Sequence, residues 1–231
     1  MKKWIALLIC LLLTMTAAFA EEEPVYRSVT YSTMGYSLHL HWDDDLMPDA
    51  ELAQTLQDVF FEKYPAIRET FGTTADREIT LTLTAGTDNY ISSIEGIVMS
   101  YEELKNNPAR LNTLVWFFVN KVANGHPNPD NDPEIEVLSL GFQFYAENVY
   151  AVNPDQATWL TPYEPGQQLT TNHQVAGAFL MWVAQTYGAD VPIRLNRVLH
   201  EGCYDSLSFW LSATGDTVGN LWNDYAAQAA K

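Results

Sequence analysis

Residues Asn106–Gly125 read NNPARLNTLVWFFVNKVANG. Pro108 is tolerated in the first turn of a helix, and from there the pattern is helical. Leu114 through Val119 is apolar without a break, so this helix is expected to be buried on nearly all sides. The stretch contains neither a histidine nor a glutamate. Its flanks decide what that absence means.

Upstream, Tyr36 to Trp42 alternates Tyr, Leu, Leu and Trp against Ser, His and His, the period of a half-buried strand. Asp43-Asp44-Asp45 ends it. A helix is expected from Pro48-Asp49, with Leu52, Leu56, Val59 and Phe60 on one face; Pro65 either kinks it or starts a second one. Ile79, Leu81 and Leu83 alternate with threonines as a second strand, and Tyr90 to Met99 holds one or two more, with Gly96 at a turn. Downstream, GHPNPDNDP (Gly125–Pro133) breaks the pattern. Glu134 to Tyr150 reads as one helix and Asn153 to Thr171 as a long irregular connection. Helices over His173–Tyr187, Pro192–His200 and Ser206–Ala213 end near Gly188, Gly202 and Gly215, and Thr217 caps a last one. Strands first and helices after make an α+β chain.

In order and spacing, DVFFEKYPAIRETFG (Asp58–Gly72), REITLTLTAG (Arg77–Gly86), LSLGFQFYAENVY (Leu138–Tyr150), HQVAGAFLMWVAQTYG (His173–Gly188), RLNRVLHEGCY (Arg194–Tyr204) and ATGDTVGNLWNDY (Ala213–Tyr225) resemble the basic-secretory-protein family, plant and bacterial zinc metallopeptidases. The resemblance covers roughly Pro48 to Tyr225 and implies a zincin-like peptidase fold. It further implies a His-Glu-x-x-His helix after the Asn-Pro pair, where Trp116 stands for the first His, Phe117 for the Glu and Asn120 for the second His. The family's Glu-Gly-x-Ala-Asp-Tyr element corresponds to Leu140–Tyr145. Gly141 and Tyr145 are kept, whereas Leu140 and Phe144 replace carboxylates, the latter the implied third ligand. A catalytic zinc needs about three protein ligands and an intervening base. The resemblance thus implies a kept scaffold with its zinc ligands and general base replaced, and no cofactor. Either the aromatics fill a dead cleft, or an apolar groove at Leu140, Gly141 and Tyr145 persists as a binding site for an extracellular peptide or other ligand. The competing expectation is an active metallopeptidase with ligands relocated among His39, His41, His173 and His200; a structural envelope protein with no ligand is the third.

Residues 1–20 read as a secretory signal: Lys2 and Lys3, an apolar run from Trp4 through Leu13, and Ala18-Phe19-Ala20 before the expected cleavage. Ile9 before Cys10 argues against lipid attachment. The expected organisation is therefore signal (1–20), acidic leader and N-terminal strand (21–47), and one peptidase-like domain (48–231), exported and free of the membrane. The formal charge is -17 and becomes two units more negative without Lys2 and Lys3, which argues against nucleic acid as a partner. Cys203 is the single cysteine beyond the signal, so no intramolecular disulfide is expected, and a quiet free thiol is favoured over a Cys203-linked dimer.

Other constellations are weaker. His39 and His41 share a strand face with Asp43, as solvent-facing residues of an antiparallel strand also would. His200, Glu201 and Cys203 gather at a helix end. His173 opens a helix and His126 lies in a loop, neither with a partner by spacing. Asn128–Asp132 lacks the spacing of a calcium loop. No phosphate loop, dinucleotide fingerprint or Gly-x-Ser-x-Gly is present.

Overall fold

Tyr26–Thr33 (β1) and Tyr36–Asp43 (β2) form an antiparallel hairpin closed by Met34-Gly35, both at positive φ (50° and 78°). Two positive φ values make the turn whose twist suits a two-residue hairpin, and glycine takes the second at no steric cost. Methionine takes the first against its preference and is 92% exposed. Met34→Asn is therefore expected to stabilise the fold by about 0.5–1 kcal/mol, because asparagine tolerates the left-handed region and Met34 gives up almost no burial. An unchanged urea midpoint would refute this.

The structure, a computed structural model, describes residues 26–46, 48–71, 75–92, 95–123, 126–157 and 159–229. The expected signal segment, and the acidic leader up to Val25, lie outside the described residues. The rest is a mixed α+β arrangement with one five-stranded sheet and eight helices among those residues. After β2, helix α1 (Ala50–Phe71) leads to β3 (Glu78–Thr84), β4 (Tyr90–Ser92) and β5 (Gly96–Ser100). Helices α2 (Tyr101–Asn106), α3 (Arg110–Ala123), α4 (Pro133–Tyr150), α5 (His173–Tyr187), α6 (Asp190–His200), α7 (Ser206–Thr214) and α8 (Val218–Ala229) follow. Sheet order is β1-β2-β3-β5-β4. β2, β3 and β5 run parallel, and both edge strands run antiparallel to their neighbours.

Register sorts the side chains into two faces. Leu38 and Leu40 pair with Ile79 and Leu81, and Leu81 with Ile97, giving an apolar sheet face on which every one of these residues is buried. Thr30, His39 and Thr80 line the other face, as period-two alternation requires. Helix α1 covers the apolar face and runs unbroken through Pro65, so neither the kink nor the second helix materialises as a break. One lost backbone bond is offset by the buried stripe Leu56, Phe60, Tyr64 and Ile67. Phe60 and Tyr64 stack at 5.3 Å and both meet Phe118 of α3 edge-on.

From there the helices stack sideways, α3 on α1, α4 on α3 and α5 on α4. The closest approach is between α4 and α5. A Cβ added at Gly141 would lie 2.7 Å from the Ala176 Cβ, and one at Gly177 would lie 3.0 Å from the Gly141 carbonyl oxygen. The closing helices meet in an aromatic cluster around Phe179, with Trp182, Trp210, Trp222 and Tyr225 at 5.6–5.9 Å. Among the described residues no helix is long and apolar enough to cross a membrane.

Candidate functional site

Helices α3 and α4 lie antiparallel. Asn112, near the start of α3, donates to the Asn153 carbonyl and accepts from the Val152 and Asn153 amides just past the end of α4. At the other end, Asn120 Nδ2 donates to Gln143 Oε1 at 3.0 Å. Together these contacts fix the register. They set Trp116 and Asn120 of α3 beside the stretch of α4 that carries Leu140, Gln143, Phe144 and Glu147. The positions that the resemblance assigns to metal ligands therefore do face one another across a helix pair.

What fills them is not a donor set for zinc. Trp116 offers an indole, Phe117 and Phe144 phenyl rings, and Asn120 an amide already bonded to Gln143. Phe117 is buried in the core. Trp116 and Phe144 are half-buried beneath Trp159, which stacks on both, at 6.4 Å and 15° to the first and 5.9 Å and 26° to the second. Trp159 belongs to the long connection after α4 and carries no periodic signal that would announce it. It closes the groove at this end.

Of the three expected groove residues, only Leu140 lines open space. Gly141 is the helix-crossing point described above. Tyr145 is buried against Phe142, and burial pushes its hydroxyl pKa up to about 12. The expectation of a groove through all three is corrected: side-chain-free Gly141 serves close helix approach, and Tyr145 points into packing. The space that remains is a cleft of about 370 Å³ at the N-terminal half of α4, walled by His126, Asn131, Glu136, Ser139, Leu140 and Gln143. It is mixed in character, with Ile135 and Leu140 set among polar side chains, where an apolar groove was expected. The Ser139 hydroxyl on its wall is buried and has no hydrogen-bond partner among the described residues.

Glu147 is the residue that the sequence did not single out. It lies one helical turn beyond Gln143, is 0% exposed, and neither carboxylate oxygen has a hydrogen-bond partner among the described residues. Burial alone pushes its pKa up to about 8, so the side chain is a neutral acid at pH 7. In the antiparallel register Trp116 stands across from it, and the Trp116 indole N–H is likewise buried and unpartnered. A lone glutamate inside an otherwise apolar run, one turn after a glutamine, was the available signal.

The histidines fall in separate places. His39 Nδ1 lies 2.9 Å from the Thr30 hydroxyl and its Nε2 3.7 Å from Glu78, on the polar sheet face. Burial and then His39 hold the His41 pKa below its ordinary value. His173 opens α5. His200, at the end of α6, meets His126 edge-on at 6.1 Å. His126 also bonds Asn196 at 2.9 Å, so this loop histidine, expected to stand alone, has two partners, and burial lowers its pKa. Among the described residues no group of three or more His, Cys, Asp or Glu side chains gathers so as to hold a metal ion. The Asn128–Asp132 turn is closed on itself. Asn128 accepts from the Asp132 amide, and the Asp132 carboxylate caps α4 by accepting from the Glu134 amide.

No family model matches this chain, and no curated protein or solved structure is significantly similar to it.

Proposed function

We propose that this chain is an exported, catalytically inactive relative of the basic-secretory-protein metallopeptidases, with a zincin-like fold, that binds a peptide or similarly polar extracellular ligand. One observation carries the proposal. Trp116, Asn120 and Phe144 stand on facing sides of the α3–α4 pair, as a metal site built on those helices would require, yet the two rings stack on Trp159 and Asn120 donates a hydrogen bond to Gln143. The open part of the same interface is the cleft at Ser139, Leu140 and Gln143, where a buried unpartnered hydroxyl and two amides suit the N–H and C=O groups of an extended peptide. The mixed sheet with a short antiparallel edge strand also supports this reading.

Two measurements test it. Metal analysis of the purified protein after zinc loading and dialysis is expected to give far less than stoichiometric zinc, and incubation with casein is expected to give no chelator-sensitive cleavage. Stoichiometric zinc with chelator-sensitive cleavage would establish the relocated-ligand peptidase instead. Selection from a random displayed-peptide library should enrich binders that lose about tenfold or more in affinity, roughly 1.4 kcal/mol, when Leu140→Arg occupies the cleft. The Trp159 stack over Trp116 and Phe144 favours a second reading, a structural exported protein with no ligand. A selection that yields nothing dependent on Leu140 would support that one.

A further inference from the structure

A second concavity, of about 300 Å³, lies between α6 and α7, away from the α3–α4 pair. Arg194 and Arg197 line one wall, three residues apart and so on one helix face. Val198 and Phe209 supply apolar surface, and Cys203 and Ser208 add polar atoms.

Two arginines on one cavity wall are unusual for this chain, which carries 29 acidic residues against 12 basic ones. Among the described residues, four of the seven other Lys and Arg side chains are in ion pairs. Arg27 sits 3.0 Å from Asp44, Lys105 3.3 Å from Asp49, and Arg110 2.8 Å from Glu103. Arg194, by contrast, has only Asp190 at 3.9 Å, and Arg197 is in no ion pair among the described residues. Arg197 lies in the last turn of α6, where a cation suits the helix terminus. That accounts for Arg197, and Arg194 keeps only its long i,i+4 pair with Asp190.

Asp205 is the one carboxylate on the lining, and it is committed. It accepts from the Ser208 amide at 2.8 Å as the N-cap of α7 and pairs with neither arginine. Its hydrogen bonds with Ser208, side chain first and amide second, hold its pKa below the ordinary value. With that fixed negative charge on the lining, the two arginines have room for one carboxylate. Leu207 and Leu211, 59% and 45% exposed, stand on the next stripe of α7 and extend the apolar surface outward. We propose that this cavity binds a small organic monoanion, a carboxylate on an aromatic or alkyl body, with the carboxylate on Arg194 and Arg197 and the body on Val198 and Phe209. Guanidinium groups match carboxylates in geometry as well as charge.

Cys203 gives the test its reporter. It is a free, exposed thiol on the same lining. In the full chain with Cys10→Ser it is the only cysteine. Its thiolate attacks a disulfide reagent, forming one protein–aryl S–S bond as the reagent's own S–S bond breaks and a thiolate leaves. The rate with the anionic aryl disulfide dithiobis(nitrobenzoate) is compared with that of neutral dithiodipyridine. The ratio is expected to fall about tenfold or more in the Arg194→Gln, Arg197→Gln double variant. Nitrobenzoate should protect Cys203 saturably in the parent, neutral nitrobenzamide should not, and the double variant should lose the protection. The dithiodipyridine rate reports whether the variant has kept Cys203 in its folded surroundings. A ratio unmoved by the arginine replacements, or equal protection by nitrobenzamide, overturns the proposal. Neither outcome bears on the α3–α4 cleft.

Discussion

Replacing Glu147 by glutamine is expected to make the protein more stable at pH 8 by roughly 3–5 kcal/mol while changing it little near pH 4.5, because the native acid keeps a proton that the unfolded chain releases. The sign follows from the direction of the shift. The side chain titrates near 4.5 when solvated, and burial raises that to about 8 in the fold. Below about 4.5 both states hold the proton and the residue costs nothing through ionisation. Between about 4.5 and 8 the folded state binds more protons than the unfolded one, so stability falls steadily as pH rises. Above about 8 both states are ionised and the full cost of a bare buried carboxylate is present. Glutamine has nearly the same shape and no charge to lose, so the variant should lack this contribution at every pH. The measurement is the difference in urea-unfolding free energy between the two proteins at pH 5, 6.5 and 8. Taking the difference cancels the titration of the other carboxylates. A gap that stays constant across this range would show that Glu147 is ionised in the fold and held by partners.

Gly141→Ala should destabilise the fold even though alanine is the better helix former. A mid-helix glycine-to-alanine change is worth about 1 kcal/mol in favour of the helix. Against that, the new methyl would sit 2.7 Å from the Ala176 Cβ and 3.1 Å from the Gly177 nitrogen, and only movement of α5 as a whole could relieve it. Overpacking of this kind costs about 1–3 kcal/mol; at 2.7 Å the upper half of that range applies, so the net loss for alanine reaches about 2 kcal/mol, and a larger residue such as leucine should prevent folding. The nearest atom belongs to a side chain, which allows a sharper test. Ala176→Gly in the Gly141→Ala background removes the 2.7 Å clash and should restore part of the loss, although glycine alone in a helix is unfavourable. A stability gain for Gly141→Ala by itself would mean that α4 and α5 are not held at this distance.

Helices were the legible part of this chain, and the reason is burial. The unbroken run Leu114–Val119 could only be a helix wrapped on most sides, and α3 is that. Gly188 and Gly215 stopped α5 and α7 where expected, both at positive φ. β1 was not legible, because Val29 and Tyr31 alternate with serines and threonines that suit a loop equally well. Its pairing with β2 decides the matter. Helix α2 was hidden for a different reason. It is one and a half turns long and starts directly on β5, with Ser100 both ending the strand and capping the helix through the Glu103 amide.

The site divides along the same line. Facing helices at Trp116, Asn120 and Phe144 were an implication of the family resemblance, not of periodicity or spacing. The mixed lining of the remaining cleft was not legible, since it depends on which face of α4 turns outward and on Trp159 arriving from a segment without periodicity. Glu147 was invisible for a physical reason as well. Carboxylates on helices are usually solvated, and a lone glutamate in an apolar run is too slight a local signal to outweigh that expectation.

The two margins of the sheet differ, and this bears on how copies of the molecule meet. β4 is three residues long and offers little to a newcomer. β1 is an eight-residue outermost strand whose outward backbone groups have no strand beside them among the described residues. A margin of that length is a template for strand addition, and no proline interrupts it. What keeps such margins apart in water is mutual repulsion, and a formal charge of -17 supplies it. That repulsion is a property of the whole chain, since β1 itself carries Arg27 and no acid, and its reach shrinks to about 8 Å at physiological ionic strength.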